Sequence, residues 1–364
     1  MCDYRALATA ATQGLTPYQP GKPISELQRE LGLSDIVKLA SNENPLGPGE
    51  AARTAMQSAL KDVALYPDGN GFELKRAIAE RFGVGLRQIT LGNGSNDVLD
   101  LIARAYLGPG REAVFSEYAF AVYPISTQAV GATARVAKAI DYGHDLAAMR
   151  ALVGTDTRVV FIANPNNPTG TWLKRDALRA FIADLPPDVL VVVDEAYVEY
   201  VDEAEYASAL DWVAEFPNLV VTRTFSKAYA LAGLRVGFAV SAPAVADMLN
   251  RVRQPFNVNQ VAMVAASAAL GDVDHLQRSA ELNRAGMKQL VSGFAARGFG
   301  HIPSVGNFVC VDVARPAGPV FEALLREGVI VRPVGNYGMP NHLRVSIGLP
   351  DQNARLLSAL DVAL

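Results

Sequence analysis

The sequence predicts an α/β protein: a large domain on a mostly parallel sheet with helices on both faces, then a smaller α+β domain. Three observations carry this. From about Glu50, short apolar runs of strand type alternate with helical patterns. The loops richest in polar chemistry follow apolar runs, where ligands sit in open α/β sheets. After about residue 256 the alternation gives way to a long helical stretch and then closely spaced short strands. A chain of 364 residues, 50% apolar and 19% charged, has material for two well-buried domains.

Taken in order, the N-terminal segment is rich in Pro and Gly (Pro17, Pro20, Gly21, Pro23) and is expected to lie against the small domain. Ser95–Tyr106 has helical spacing, and Ala113–Phe115 reads as a short buried strand. Val159–Ile162, Leu190–Val193, Leu219–Val221 and Val236–Val240 read as further buried strands. Lys174–Ala183 and Ala244–Arg251 read as helices between them. Val258 to Ala296 is helical with a break near Gly271-Asp272. Strands follow at Phe308–Val313, Val329–Arg332 and Leu343–Ser346, with helices Val320–Arg326 and Asp351–Leu364. The expected division is a large domain over 41–255 and a small one from 1–40 and 256–364.

Bulk properties exclude several classes. The net charge of −4 opposes nucleic acid as a partner. Cys2 and Cys310 cannot build a disulfide framework, which points to a reducing cytoplasm. Met1 to Gly14 lacks a secretory pattern, and no run reaches the ~18 apolar residues of a membrane helix. His144, His275, His301 and His342 lack metal-ligand spacing, so no metal is expected.

The chemistry concentrates in Thr224-Phe-Ser226-Lys227-Ala-Tyr-Ala-Leu-Ala-Gly-Leu-Arg235. A lysine among small apolar residues is desolvated, which lowers its pKa and makes it a usable amine for Schiff-base chemistry. Two hydroxyls and a guanidinium beside it suit a phosphate. An amine next to a phosphate site is what pyridoxal phosphate requires. Gly92-Asn-Gly94-Ser95-Asn96-Asp97 precedes a helix, and free N–H groups there form an anion site. The sixth position is Asp97 rather than Gly, so this is a poor dinucleotide fingerprint. Asp194-Glu-Ala-Tyr197 follows a buried strand. Its carboxylate suits either a helix N-cap or a pyridinium partner. Asn164-Pro-Asn-Asn167-Pro-Thr-Gly170 is a rigid turn that presents Asn167 at a fixed place. The Asn167 amide and the Tyr197 hydroxyl could both donate to a phenolate oxygen. Of Tyr118, Phe120 and Tyr123, one could stack on a pyridine ring, and Tyr123 reads as a core aromatic.

In this order the motifs resemble those of fold-type-I pyridoxal-phosphate (PLP) aminotransferases, and more narrowly the histidinol-phosphate aminotransferase family. Ser41-Asn-Glu-Asn44-Pro-Leu-Gly47, Tyr66-Pro-Asp-Gly69 and Leu343-Arg344-Val-Ser-Ile-Gly348 extend the match over nearly the whole chain. The resemblance implies Lys227 as the amine that bonds the cofactor and later moves the proton. It implies Asp194 on the pyridinium, Asn167 and Tyr197 on the phenolate oxygen, and Phe120 on the ring. Gly94, Ser95, Asn96, Thr224, Ser226 and Arg235 would hold the phosphate, joined by Tyr66 of a neighbouring subunit in a homodimer. Tyr18, Asn44, Arg332 and Arg344 would meet the substrate. The implied reaction moves the amino group of histidinol phosphate to 2-oxoglutarate in histidine biosynthesis.

Two positions depart from the family pattern. Tyr118-Ala119 stands where Pro-Thr often precedes the stacking aromatic, and Asn96-Asp97 where an acidic pair often follows the glycine turn. The first leaves donor choice open between histidinol phosphate and aromatic amino acids. Threonine-phosphate decarboxylation is a further reaction the same framework allows. A regulator with an aminotransferase-like domain would need a DNA-binding extension, and the forty residues before Ser41 hold no helix-turn-helix pattern. A nicotinamide dehydrogenase is opposed by the missing third glycine and by the surroundings of Lys227.

Overall fold

The structure is a computed structural model and describes residues 2–364. Seven strands form the main sheet: β1 Ile89–Gly92, β2 Glu112–Ser116, β3 Thr133–Ala137, β4 Thr157–Ala163, β5 Leu190–Asp194, β6 Leu219–Thr224 and β7 Gly237–Ser241. Their spatial order is β1-β7-β6-β5-β4-β2-β3. Neighbours from β6 to β3 are parallel, while β7 is antiparallel to both β1 and β6. The central strands are buried on both faces, so they appear in the sequence as unbroken Val/Ile/Leu runs. Each fully buried Val, Leu or Ile there contributes roughly 1.5–3 kcal/mol.

Apolar cores lie on both faces of this sheet. Helix Gln260–Leu270 packs with its Ala262, Ala265 and Ala266 fully buried in one of them. The division expected at residue 255 therefore cuts through packing that continues to Leu270. The chain turns out of this core at Gly271-Asp272, where Asp272 caps helix Val273–Ala295.

That helix leads to a second sheet of β8 Gly300–Ile302, β9 Phe308–Asp312, β10 Arg332–Pro333 and β11 His342–Ser346, ordered β8-β9-β11-β10 and antiparallel throughout. Helices Ala317–Arg326 and Pro350–Ala363 cover it. The N-terminal segment joins here: Val37–Lys38 pairs in parallel with Val329–Ile330, and Leu39 enters the same core. Among the described residues, no helix is long and apolar enough to cross a membrane.

The placement of β7 matters most for the site. Because it runs against its neighbours, its first residue lies at their carboxyl edge, with Gly237 opposite both Gly92 and Thr224. Arg235, two residues earlier, is thereby delivered to the turn after β1 and the turn after β6.

Candidate active site

A cavity of about 160 Å³ opens at the carboxyl edge of the main sheet, where β10 and β11 of the second sheet face it. The turn after β1 supplies one wall. Gly94 has φ +80°, and a Cβ there would stand 2.3 Å from Arg235 Nη2, so only glycine lets the guanidinium come so close. Ser95 and Asn96 open helix Ser95–Tyr106 and line the cavity. After β6, Thr224 Oγ1 donates to Ser226 Oγ at 3.0 Å, and Arg235 Nη1 donates to that same Ser226 Oγ at 3.3 Å. Helix N–H groups, two hydroxyls and a guanidinium thus converge on an anion-sized space. Asp97 points away, accepting from Asn93 N and Asn257 Nδ2 at 2.8 and 2.7 Å.

Lys227 follows this cup and, among the described residues, is the one lysine lining the cavity. Its Nζ donates to the Ser41 carbonyl at 2.9 Å and lies 5.7 Å from the centre of the Tyr197 ring. Burial, helped by the Arg344 and Arg235 charges, brings its pKa down to about 7. At neutral pH a large share of this amine is unprotonated and nucleophilic.

Asp194 ends β5 and is buried in the cavity wall. Its Oδ1 accepts from Thr222 Oγ1 at 2.9 Å and its Oδ2 from the Tyr123 hydroxyl at 3.0 Å. Burial raises its pKa to about 6 despite these donors. Behind it, Glu195 pairs with Arg223 at 2.8 Å and accepts from Ala209 N, which anchors the turn leading to Tyr197. The Tyr197 hydroxyl accepts from Asn42 Nδ2 at 3.0 Å, and burial pushes its pKa up to about 12. Asn167 Oδ1 accepts from Arg344 Nη1 at 2.5 Å, which leaves the amide NH2 as the donor this residue can offer. Phe120 also lines the cavity.

Arg332 and Arg344 are directly opposite on β10 and β11, so their side chains share one face of the second sheet. Both are buried and line the cavity. Arg344 Nη2 donates to the Ala40 carbonyl at 2.7 Å, and its buried Nε has no partner. Arg332 donates to the Gln19 carbonyl, with its guanidinium 5.8 Å from the Tyr18 ring centre. Among the described residues, none of Arg235, Arg332 and Arg344 pairs with a carboxylate.

Two expected residues stand apart. Asn44 does not line the cavity. Its Nδ2 donates to the Ala228 carbonyl and to Ser279 Oγ, and its Oδ1 accepts from Leu46 N, so all its polar groups hold the fold. Asn42 takes its place in the wall, held at φ +55° between Tyr197 and Ser346. Tyr66 is 83% exposed and stacks on Phe256 at 4.8 Å, outside the cavity of its own chain. Tyr123 is fully buried, as a core aromatic should be, but its hydroxyl reaches Asp194, which the aromatic pattern alone does not reveal.

The sequence profile of the aminotransferase class I and II family matches residues 34–360. The chain belongs to that family, and its chemistry is PLP-dependent amino transfer. Within it, the chain falls among the histidinol-phosphate aminotransferases. It is 63% identical to histidinol-phosphate aminotransferase 2 of Pseudomonas aeruginosa, over 100% of this chain and 99% of that protein. It is 56% identical to histidinol-phosphate aminotransferase 1 of Nitrosococcus oceani, over 98% and 97%. The crystal structure of histidinol-phosphate aminotransferase from Sinorhizobium meliloti in complex with pyridoxal-5'-phosphate superimposes with a TM-score of 0.91 at 28% identity, covering 98% of this chain and 97% of that one. The residues present fit that cofactor: an anion cup without a resident acid, a lysine with a depressed pKa, and a buried carboxylate without a basic partner.

Proposed function

We propose that this chain transfers the amino group of L-histidinol phosphate to 2-oxoglutarate, giving imidazole acetol phosphate and glutamate, as a step of histidine biosynthesis in the cytoplasm. The observation that carries the substrate is the pair of buried arginines directly opposite on β10 and β11. A phosphate monoester carries close to two charges at neutral pH and suits two guanidiniums. The carboxylate of an ordinary amino acid needs only one.

When bound, pyridoxal phosphate supplies an electron sink for the carbanion left by loss of the Cα proton. Lys227 would hold it through Nζ, and the same Nζ would remove and return the substrate proton. Asp194 would keep the ring nitrogen protonated. Asn167 Nδ2 and the Tyr197 hydroxyl would hold the phenolate oxygen, and Phe120 would cover the ring. Gly94, Ser95, Asn96, Thr224, Ser226 and Arg235 would hold the phosphate. Tyr18, Arg332 and Arg344 would bind the acidic end of the donor, with Asn42 beside them.

The exposed position of Tyr66 supports a homodimer in which each subunit lends this residue to its neighbour's phosphate cup. We also divide the chain into a large unit over 41–270 and a small one from 1–40 and 271–364, following the packing of Gln260–Leu270. The substrate assignment is tested with Arg332→Leu. It should lower kcat/KM for histidinol phosphate at least about tenfold, or 1.4 kcal/mol, and affect phenylalanine or tyrosine less, because Arg344 remains. Equal losses for both donor types would remove the argument for a phosphate clamp.

A further inference from the structure

Tyr123 is the second residue of helix Val122–Ala129, and its side chain is wholly buried. Its ring stacks on Phe161 at 4.8 Å and 8°, which fixes its plane. Its edge meets Phe120 in a T-shaped contact at 5.9 Å and 88°. Its hydroxyl donates to Asp194 Oδ2 at 3.0 Å, while Thr222 donates to the other carboxylate oxygen. A buried tyrosine hydroxyl with an ionisable partner could simply be satisfied core polarity. Here the partner lines the cavity, and so does the ring that Tyr123 supports.

We infer that Tyr123 is a positioning residue: one buried side chain aims the Asp194 carboxylate and braces Phe120, and so sets together the two groups that would meet the cofactor ring at its nitrogen and on its face. This deepens the proposed reading and rests on Asp194 facing the ring nitrogen. The hydroxyl favours the ionised carboxylate, because its bond is stronger to the charged acceptor. Other titratable groups near Asp194 are accounted for. Glu195, next in the chain, pairs with Arg223, the Tyr197 hydroxyl accepts from Asn42, and Lys227 donates to the Ser41 carbonyl. Tyr123 is the titratable group that donates to Asp194 itself.

The test uses the full-length apoenzyme and measures pyridoxal phosphate affinity from pH 5 to 8 by absorbance titration. Protonation of Lys227, whose pKa is about 7, weakens binding on the acid side in wild type and variants alike. Pairing with a protonated ring nitrogen also needs an ionised Asp194, which adds a second midpoint near its pKa of about 6. Tyr123→Phe keeps the ring and removes one donor. It should move that midpoint up by about one pH unit, the scale of one hydrogen bond to a charged group. Thr222→Val removes the other donor and should move it in the same direction. The induced circular dichroism of the bound cofactor should persist in Tyr123→Phe and weaken in Tyr123→Leu, which also removes the brace on Phe120. A uniform loss of affinity in Tyr123→Phe with an unmoved midpoint, while Thr222→Val shifts it, would overturn the inference and leave the cofactor reading intact. Wild-type apoenzyme that binds no pyridoxal phosphate would instead overturn the cofactor reading, and the inference with it.

Discussion

At the scale of single residues, the site is governed by what burial does to two charges of opposite sign. Lys227 has its pKa lowered from 10.5 to about 7, first by desolvation and then by the Arg344 charge. Between those values the unfolded chain holds a proton that the folded chain has released, so stability from this group rises with pH from about 7 to 10.5. Lys227→Met removes the effect. The apo variant should exceed wild type in unfolding free energy at pH 7, by roughly 2 kcal/mol after allowing for the partial exposure of the lysine, with a higher melting temperature, and the gap should close towards pH 10. It should also lose turnover. A gap independent of pH, or undiminished turnover, would remove Lys227 from its assigned place. Single residues also show where pattern reading reached its limit. Ser41-Asn42-Glu43-Asn44 offers two asparagines, and only the positive φ of Asn42 turns it to Tyr197 while Asn44 faces Ser279. A one-dimensional motif does not encode that turn.

At the scale of elements, the site is made by strand ends and the loops that leave them. Gly94 is one of the tight junctions, with φ +80° and no room for a Cβ beside Arg235. Gly94→Ala should raise the dissociation constant for pyridoxal phosphate at least about tenfold, since a displaced guanidinium forfeits roughly 1.5–3 kcal/mol of charge-assisted bonding. Gly108→Ala, with open space around it, is the control and should change little. Unaltered affinity in Gly94→Ala would mean that Arg235 is not a phosphate ligand. Elements buried on both faces were legible in the sequence, since burial leaves long apolar runs such as Leu190–Val193 and Val159–Ile162. Their polar ends were not: Asp194 and Thr224 close their strands through sheet hydrogen bonds that no apolar run reports. Edge strand β3 escaped notice because four of its five residues are exposed. The N-terminal helices Glu50–Ala59 and Phe72–Phe82 were missed because few of their residues are buried.

At the scale of the whole molecule, two facts bear on assembly and substrate. Tyr66 is exposed and stacked on the half-exposed Phe256, outside the lining of its own cavity. If subunits share sites, mixing Tyr66→Phe chains with Lys227→Ala chains should restore part of the activity both parents lack, because some mixed dimers carry one site free of either lesion. No recovery in demonstrably mixed dimers would count against sharing. The second fact is charge. The cavity lies between the two sheets and, among the described residues, is lined by Lys227, Arg235, Arg332 and Arg344 against the single carboxylate Asp194. That excess suits a cofactor phosphate at one end and a doubly charged substrate at the other. The most direct measurement is the amino-donor half-reaction of the wild-type holoenzyme without 2-oxoglutarate, followed by the cofactor spectrum with histidinol phosphate, phenylalanine, tyrosine and threonine phosphate in turn. Histidinol phosphate should react with a second-order rate constant at least about tenfold above the aromatic donors, a difference of 1.4 kcal/mol, and threonine phosphate should release no carbon dioxide. Faster reaction with phenylalanine or tyrosine, or carbon dioxide release from threonine phosphate, would contradict the account.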